Sequence, residues 1–227
     1  VTAIAASAAP LAALRRFVRP VLADRRGVQL IEFAIGLPIL TTLSLGGAEI
    51  TNYATTRMRI SQVALQLADN AARMGNGTLL AAKTITENDI NDALTGAGQQ
   101  AGNLDLYKRG RVIISDLEPM ANPNTDKKYK IVWQRCRGDK TSHASSYGVA
   151  GATNISGIGG KSKFNAQDDN ATMFVEVYYE YKPLIRTALS PSTTMVEIAA
   201  MSVRDRRDLT GGDKGVYNTA NAPVSRC

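Results

Sequence analysis

The sequence predicts an α+β fold: a long N-terminal helix, first transmembrane and then amphipathic, packed on an antiparallel sheet of about four strands. Three observations carry this. From Gly27 to Ala48 the chain holds 22 residues and one charge, Glu32. From Ile50 to Met74 apolar residues recur at three- and four-residue intervals, the period of a helix with one buried face. Beyond residue 110 the period changes to two in separate runs, as in strands with one covered face.

Taken in order, residues 1–27 are Ala-rich and then basic, interrupted by Pro10 and Pro20, and read as a cytoplasmic leader outside the fold. Val28–Leu45 is just long enough to cross a bilayer core, and residues 28–48 are assigned as the transmembrane helix. Pro38 is expected to kink it, and Gly36, Gly46 and Gly47 offer small surfaces for neighbouring helices. Residues 49–227 form the extracytoplasmic α+β domain. Ile50, Tyr53, Arg57, Ile60, Ala64, Leu67, Ala71 and Met74 continue the helix as a stripe until Gly75-Asn76-Gly77 stops it. A second helix is expected from about Thr86, with Glu87 and Asp89 in its first turn and Gly96, Gly98 and Gly102 fraying its end.

Four strands follow. Arg111–Glu118 alternates up to Pro119, and Lys128–Cys136 places Tyr129, Ile131 and Trp133 on one face. Residues 137–171, rich in Gly, Ser and Asn, read as a long exposed loop. Met173–Lys182 turns Val175, Val177, Tyr179 and Tyr181 one way and Glu176, Tyr178, Glu180 and Lys182 the other, and Thr194–Arg204 is the last strand.

The chain carries a net charge of +7, of which residues 1–27, with five arginines and one aspartate, hold +4. Basic charge concentrated before an apolar span is the positive-inside pattern, so the N-terminus is placed in the cytoplasm and no nucleic-acid partner is expected. An exported domain meets an oxidising compartment, where Cys136 and Cys227 are most simply a disulfide; the opposite orientation would leave two free thiols. A lone carboxylate just inside a membrane-length segment is costly to desolvate and calls for a functional reason.

Arg25-Arg26-Gly27-Val28-Gln29-Leu30-Ile31-Glu32-Phe33-Ala34, followed by Leu37-Pro38 and Glu49, resembles the start of TadE-like minor pilins (pseudopilins) of the tight-adherence, or Flp, pilus system. The strongest match covers about residues 24–50. Trp133-Gln134-Arg135-Cys136-x-Gly138, Tyr147-Gly148 and Cys227 resemble later family features. The resemblance implies a pilin-like fold and cleavage between Gly27 and Val28 by a prepilin peptidase, which makes Glu32 the fifth residue of the mature chain. Phe33 stands where the main pilins usually have Tyr, as in many TadE-like proteins. It also implies a non-enzymatic subunit that primes or tips a pilus, working with a major pilin, companion minor pilins, inner-membrane platform proteins and membrane lipid. The expected location is the bacterial inner membrane, with the domain in the periplasm or carried into the pilus. Physically, cleavage frees an amine on Val28, and Glu32 of one subunit is placed to pair with that amine on the next, since neither charge is stable alone in hydrocarbon.

Two rival expectations stand beside this. Gly46-Gly47-Ala48 suits a general signal peptidase, which would release a soluble binding domain starting at Glu49, and an uncleaved single-pass envelope protein would share the same anchor. Enzymatic readings are thin and no cofactor is expected. His143 is the only histidine and reads as a solvated loop residue, and with both cysteines paired no zinc site or Cys/His dyad can be assembled. Gly157-Ile158-Gly159-Gly160-Lys161-Ser162 lacks the first glycine of a phosphate-binding loop, and Asp168-Asp169-Asn170 reads as a solvated loop.

Overall fold

The computed structural model describes residues 27–78, 80–185 and 192–227; apart from Gly27, the expected leader lies outside them. The chain divides into two compact units, one ending at Glu49 and one running Ile50–Cys227.

Helix α1, Val28–Arg73, is 46 residues long and continues through Pro38, which has no N–H to donate back to the preceding turn. The next turn adds side-chain bonds: the Thr42 hydroxyl donates to the Pro38 carbonyl at 2.7 Å, and the Thr41 hydroxyl to that of Leu37. In the first unit the large apolar side chains of α1 are uncovered, from Leu37 and Leu45 at 49% exposure to Leu30 at 74%. In the second, Ile60, Val63, Ala64, Leu67, Ala68, Ala71 and Ala72 are buried in the main core. The alanines leave room for close packing, and the burial follows the 3.6-residue period. Ile50, expected at the head of that stripe, is exposed instead, and Tyr53 packs only partly against the core. The helix ends one residue before Met74, as Gly75-Asn76-Gly77 predicts.

Strand β1 (Ile85–Thr86) leads into helix α2 (Glu87–Ala101). Thr86 caps α2 with a reciprocal box: its hydroxyl accepts from the Asp89 N–H at 3.2 Å, and the Asp89 carboxylate accepts from the Thr86 N–H at 2.8 Å. Such a cap stabilises a helix by about 1 kcal/mol. The glycines at 96 and 98 do not fray it. Gly98 lies where a Cβ would come within 2.5 Å of the Tyr107 ring, so the missing side chain is what lets that ring cross the helix. The Tyr107 hydroxyl, its pKa pushed up to about 12 by burial, donates to the Leu94 carbonyl. A short helix α3 (Leu106–Arg109) then delivers the chain to the sheet.

The sheet contains β2 (Gly110–Pro119), β3 (Tyr129–Arg137), β4 (Thr172–Glu180) and β5 (Thr194–Ser202), antiparallel throughout in the order β3-β2-β4-β5. One face supplies Val112, Ile114, Met173, Val175, Val177 and Tyr179 to the core shared with α1 and α2. This is the α+β layering expected.

Two expectations about the sheet are corrected. Tyr129, Ile131 and Trp133 do not share a face. Ser115 pairs with Gln134 and Leu117 with Ile131, so β3 carries one extra residue across this interval. The bulge reverses the alternation, turning Trp133 into the helix-side core and Ile131 into a second cluster. The 137–171 segment is also not simply an exposed loop. Ile158 and Ala166 are buried with Leu117, Tyr129, Ile131 and Phe174 on the sheet's other face, with Tyr147, Ile155 and Phe164 packed around them. The segment also extends the sheet edge, since Tyr129 N–H donates to the Ile155 carbonyl at 2.8 Å and Ile131 N–H to that of Ala152 at 2.9 Å.

The C-terminal tail is tied down by a strand pairing and by a covalent bond. Strand β6 (Val216–Tyr217) pairs in parallel with β1, and Cys227 is bonded to Cys136.

Candidate functional site

The residues singled out in the sequence fall at two places. In the first unit, Gly27, Val28, Glu32, Phe33 and Pro38 lie at the start of α1. Gly27 is exposed, and a Cβ there would meet nothing within 4 Å among the described residues, so their packing gives no reason for a glycine; the same holds for Gly36, Gly46 and Gly47. Glu32 is exposed one helical turn beyond Val28, and no ion pair joins it to another described residue. Around it Leu30, Ile31 and Phe33 are 74%, 61% and 66% exposed. This end of α1 is long and apolar enough to cross a membrane. It therefore presents an apolar cylinder with one carboxylate and no covering from the described residues of its own unit.

In the second unit, the Trp133–Gly138 motif has a distinct structural role at each named position. Trp133 fills the helix-side core. The Gln134 side chain donates to Ser115 Oγ and the Gly148 carbonyl at 2.8 and 2.9 Å and accepts from the Ala150 N–H at 3.1 Å, fixing the loop to β3. Arg135 forms a buried ion pair with Glu87 at the start of α2, its Nε 3.0 and 3.1 Å from the two carboxylate oxygens and its Nη2 closing the fork. Burial leaves this pair little screening, so each charge depends on the other. Cys136 carries the disulfide, and Gly138 admits the Gly110 carbonyl, which would stand 2.3 Å from a Cβ.

Next to this motif is a polar junction the sequence did not reveal. Glu176, fully buried on the loop-covered face of β4, accepts from Ser145 Oγ at 2.8 Å and lies 3.0 Å from His143 Nε2. The His143 ring stacks on Tyr178 with centroids 4.0 Å apart, so His143 is a packed tether and not the solvated residue expected. Arg111 donates to the carbonyls of Thr141, His143 and Cys227. Loop, tail and sheet thus converge on two buried charges of opposite sign, Arg111 and Glu176. The available signal was Glu176 and Arg111 inside strongly patterned strands, where a charged residue that faces a loop becomes buried once the loop folds over it.

Two further buried carboxyl groups, Asp116 and Glu118, sit two residues apart on β2, each with one oxygen that has no hydrogen bond. Burial and the neighbouring Glu118 push Asp116 well above the usual carboxylate range. Nearby, Arg207 donates to the carbonyls of Ala71 and Met74 at 3.0 and 3.1 Å, satisfying the C-terminal end of α1. Among the described residues no group of three His, Cys, Asp or Glu side chains gathers in a way that would hold a metal.

In chemical terms, the first place offers an apolar helix of membrane-spanning length with one carboxylate, and the second is a domain cross-linked by one disulfide. Compared with known proteins, the chain matches no family model, no curated protein and no solved structure.

Proposed function

We propose that the chain is a non-enzymatic minor pilin of a tight-adherence pilus, cut after Gly27 and anchored by α1 before it primes or tips the filament. The observation that carries this reading is the uncovered first part of α1, which begins beside a glycine with no packing role among the described residues and holds one carboxylate, Glu32, a turn from Val28. Cleavage would place a free amine on Val28, and the Glu32 of an adjoining subunit would neutralise it within lipid or a filament interior. The domain faces the oxidising side, in keeping with the Cys136–Cys227 bond. Its partners are the prepilin peptidase, the platform proteins, the major pilin and companion minor pilins.

N-terminal sequencing of the envelope-associated chain tests the reading: it is expected to begin Val28-Gln29-Leu30, and a start at Glu49 would overturn it. A release after Ala48 is favoured by one observation, that the second compact unit begins at Ile50, so such a cut would leave it whole. In the pilin reading, Glu32→Ala abolishes piliation while the envelope still accumulates folded, processed protein; normal piliation in that variant would remove the pairing mechanism.

A further inference from the structure

We propose that Asp116 and Glu118 share one proton in the folded domain, and that its release draws Arg207 off the C-terminal end of α1, making the crossing there a pH-sensitive latch. The inference concerns the second unit alone and does not depend on how the anchor is processed.

The chain crosses itself where α1 stops. Arg207 Nη2 donates to the carbonyls of Ala71 and Met74, groups that no further helical turn satisfies. On either side of Arg207, Lys83 N–H donates to the Arg206 carbonyl at 2.8 Å and Asp208 N–H to the Lys83 carbonyl at 2.9 Å. One guanidinium thus joins the helix end to the segment that follows β5.

Asp116 and Glu118 reach the same place from the sheet. Met173 stands opposite Asp116 in the β2–β4 pairing, and its sulfur lies 3.6 Å from Arg207 Nη1. The two carboxyl groups are within hydrogen-bonding reach of each other, and each has a buried oxygen without a partner among the described residues. Two carboxylates cannot satisfy one another, whereas a carboxyl and a carboxylate can, through one proton. Lys130 Nζ lies 3.1 Å from Glu118 Oε2 and favours charge on Glu118, which leaves the proton on Asp116. Burial and then Glu118 hold Asp116 well above the usual carboxylate range.

The third unpartnered atom of the cluster is a donor. Arg207 Nε is buried with no partner among the described residues. Of the carboxyl groups that act on Arg207, Asp116 comes first, ahead of Asp205 and Asp89. Those two are engaged, Asp205 with Lys83 at 2.7 Å and Asp89 in the cap of α2. While Asp116 keeps its proton, Arg207 is held by the helix end. Once the proton leaves, two buried negative charges face each other, and a charge-assisted bond from Arg207 Nε to Asp116 is the strongest still open to the cluster. The latched form holds a proton that the released form gives up. It is therefore complete at low pH and lost as pH rises from the ordinary carboxylate range through the raised value of Asp116.

Hydrogen exchange of the full-length protein in detergent tests this at pH 5 and pH 8, each rate divided by that of the unstructured chain at the same pH. Protection at Met74–Asn76 should fall about tenfold at pH 8, the size of one lost hydrogen bond to a charged group, while α2 around Ile90 keeps its protection. Asp116→Asn, which can donate to Glu118 at either pH, should keep its pH 5 protection at pH 8. Arg207→Gln should show low protection at both pH values, and the parent and Asp116→Asn decide the matter even if that variant does not fold. The proposal is overturned if the parent's helix end is equally protected at the two pH values or if Asp116→Asn shows the same fall. It is also overturned if α2 loses as much protection as the helix end, since that is a loss of stability by the whole domain and not the opening of a latch.

Discussion

The two stretches of α1 carry the same kinds of side chain and meet opposite fates. In Val28–Leu45 the leucines and isoleucines are between 49% and 74% exposed, whereas Ile60 and Leu67 in the later turns are fully buried. The difference is in what lies between the apolar residues. In the later stretch Arg59, Gln62, Gln66 and Asn70 occupy the opposite face, so one stripe is available to a core. The early stretch is apolar all round, which in water has no stable outcome unless lipid or other helices surround it. The same contrast holds for charge. Glu87 has Arg135 within its own unit, while Glu32 has no ionic partner among the described residues. The later turns of α1 complete their interactions inside the second unit, whereas the early turns leave theirs open among the described residues and are long and apolar enough to cross a membrane.

This contrast can be broken experimentally. The largest effect is expected from Arg135→Ala, which leaves Glu87 charged, buried and unpaired: a loss of about 3–5 kcal/mol by urea denaturation. Glu87→Leu combined with Arg135→Met should recover most of that loss, because removing both charges removes the desolvation cost along with the attraction. Next comes Leu67→Ala, expected to cost about 2–5 kcal/mol through the cavity left in the core. Leu43→Ala, an identical deletion in the early stretch, should leave the unfolding midpoint of the domain where it was. Equal losses at the two positions would show that the early stretch packs against the folded domain after all.

How legible this was in the sequence depended on period. The later turns of α1 and all four long strands followed from runs of 3.6 or 2, the start of α1 from an apolar run, its end from Gly75-Asn76-Gly77, the start of α2 from Thr86 and its first-turn acids, and the Cys136–Cys227 bond from compartment and parity. What escaped had no period to read. The bulge inserts one residue into β3 and reverses the faces beyond it, an event set by pairing with β2 and invisible within the strand itself. Ile155, Ile158 and Phe164 are spaced irregularly among glycines and serines, so the second core they help form looked like solvent-exposed loop. Strands β1 and β6 have two residues each, too few to show alternation. At the candidate site, Glu32 was legible because it is the one charge in an apolar run, whereas Gly27 and Phe33 were picked out only by the family resemblance. Glu176 and His143 were not legible, because their burial is created by a loop folding onto the sheet.

Asp116 gives a smaller and pH-dependent test of how the domain handles a charge it cannot pair well. Its folded-state pKa is raised above the unfolded value, chiefly by burial and then by Glu118. The folded chain therefore holds a proton that the unfolded chain releases, and stability falls as pH rises from the ordinary carboxylate range towards the folded-state pKa. Asp116→Asn keeps the shape and removes the titration. Melting temperatures measured from pH 4 to pH 8 should show the variant gaining on the parent as pH rises, with the smallest difference at the acid end. A constant difference across that range would mean that Asp116 stays ionised in the folded domain, compensated by Arg207 and Lys130.

The smallest effect is expected at Glu32. Because its carboxylate is exposed and unpaired among the described residues, Glu32→Ala should leave the thermal unfolding of the detergent-solubilised chain unchanged. The result is informative because the same substitution is expected to abolish piliation, so a large assembly defect with no folding defect isolates the carboxylate as an intermolecular group. A drop in melting temperature would instead mean that Glu32 supports its own chain's fold, and the opposition between the two stretches of α1 would fail at its most polar residue.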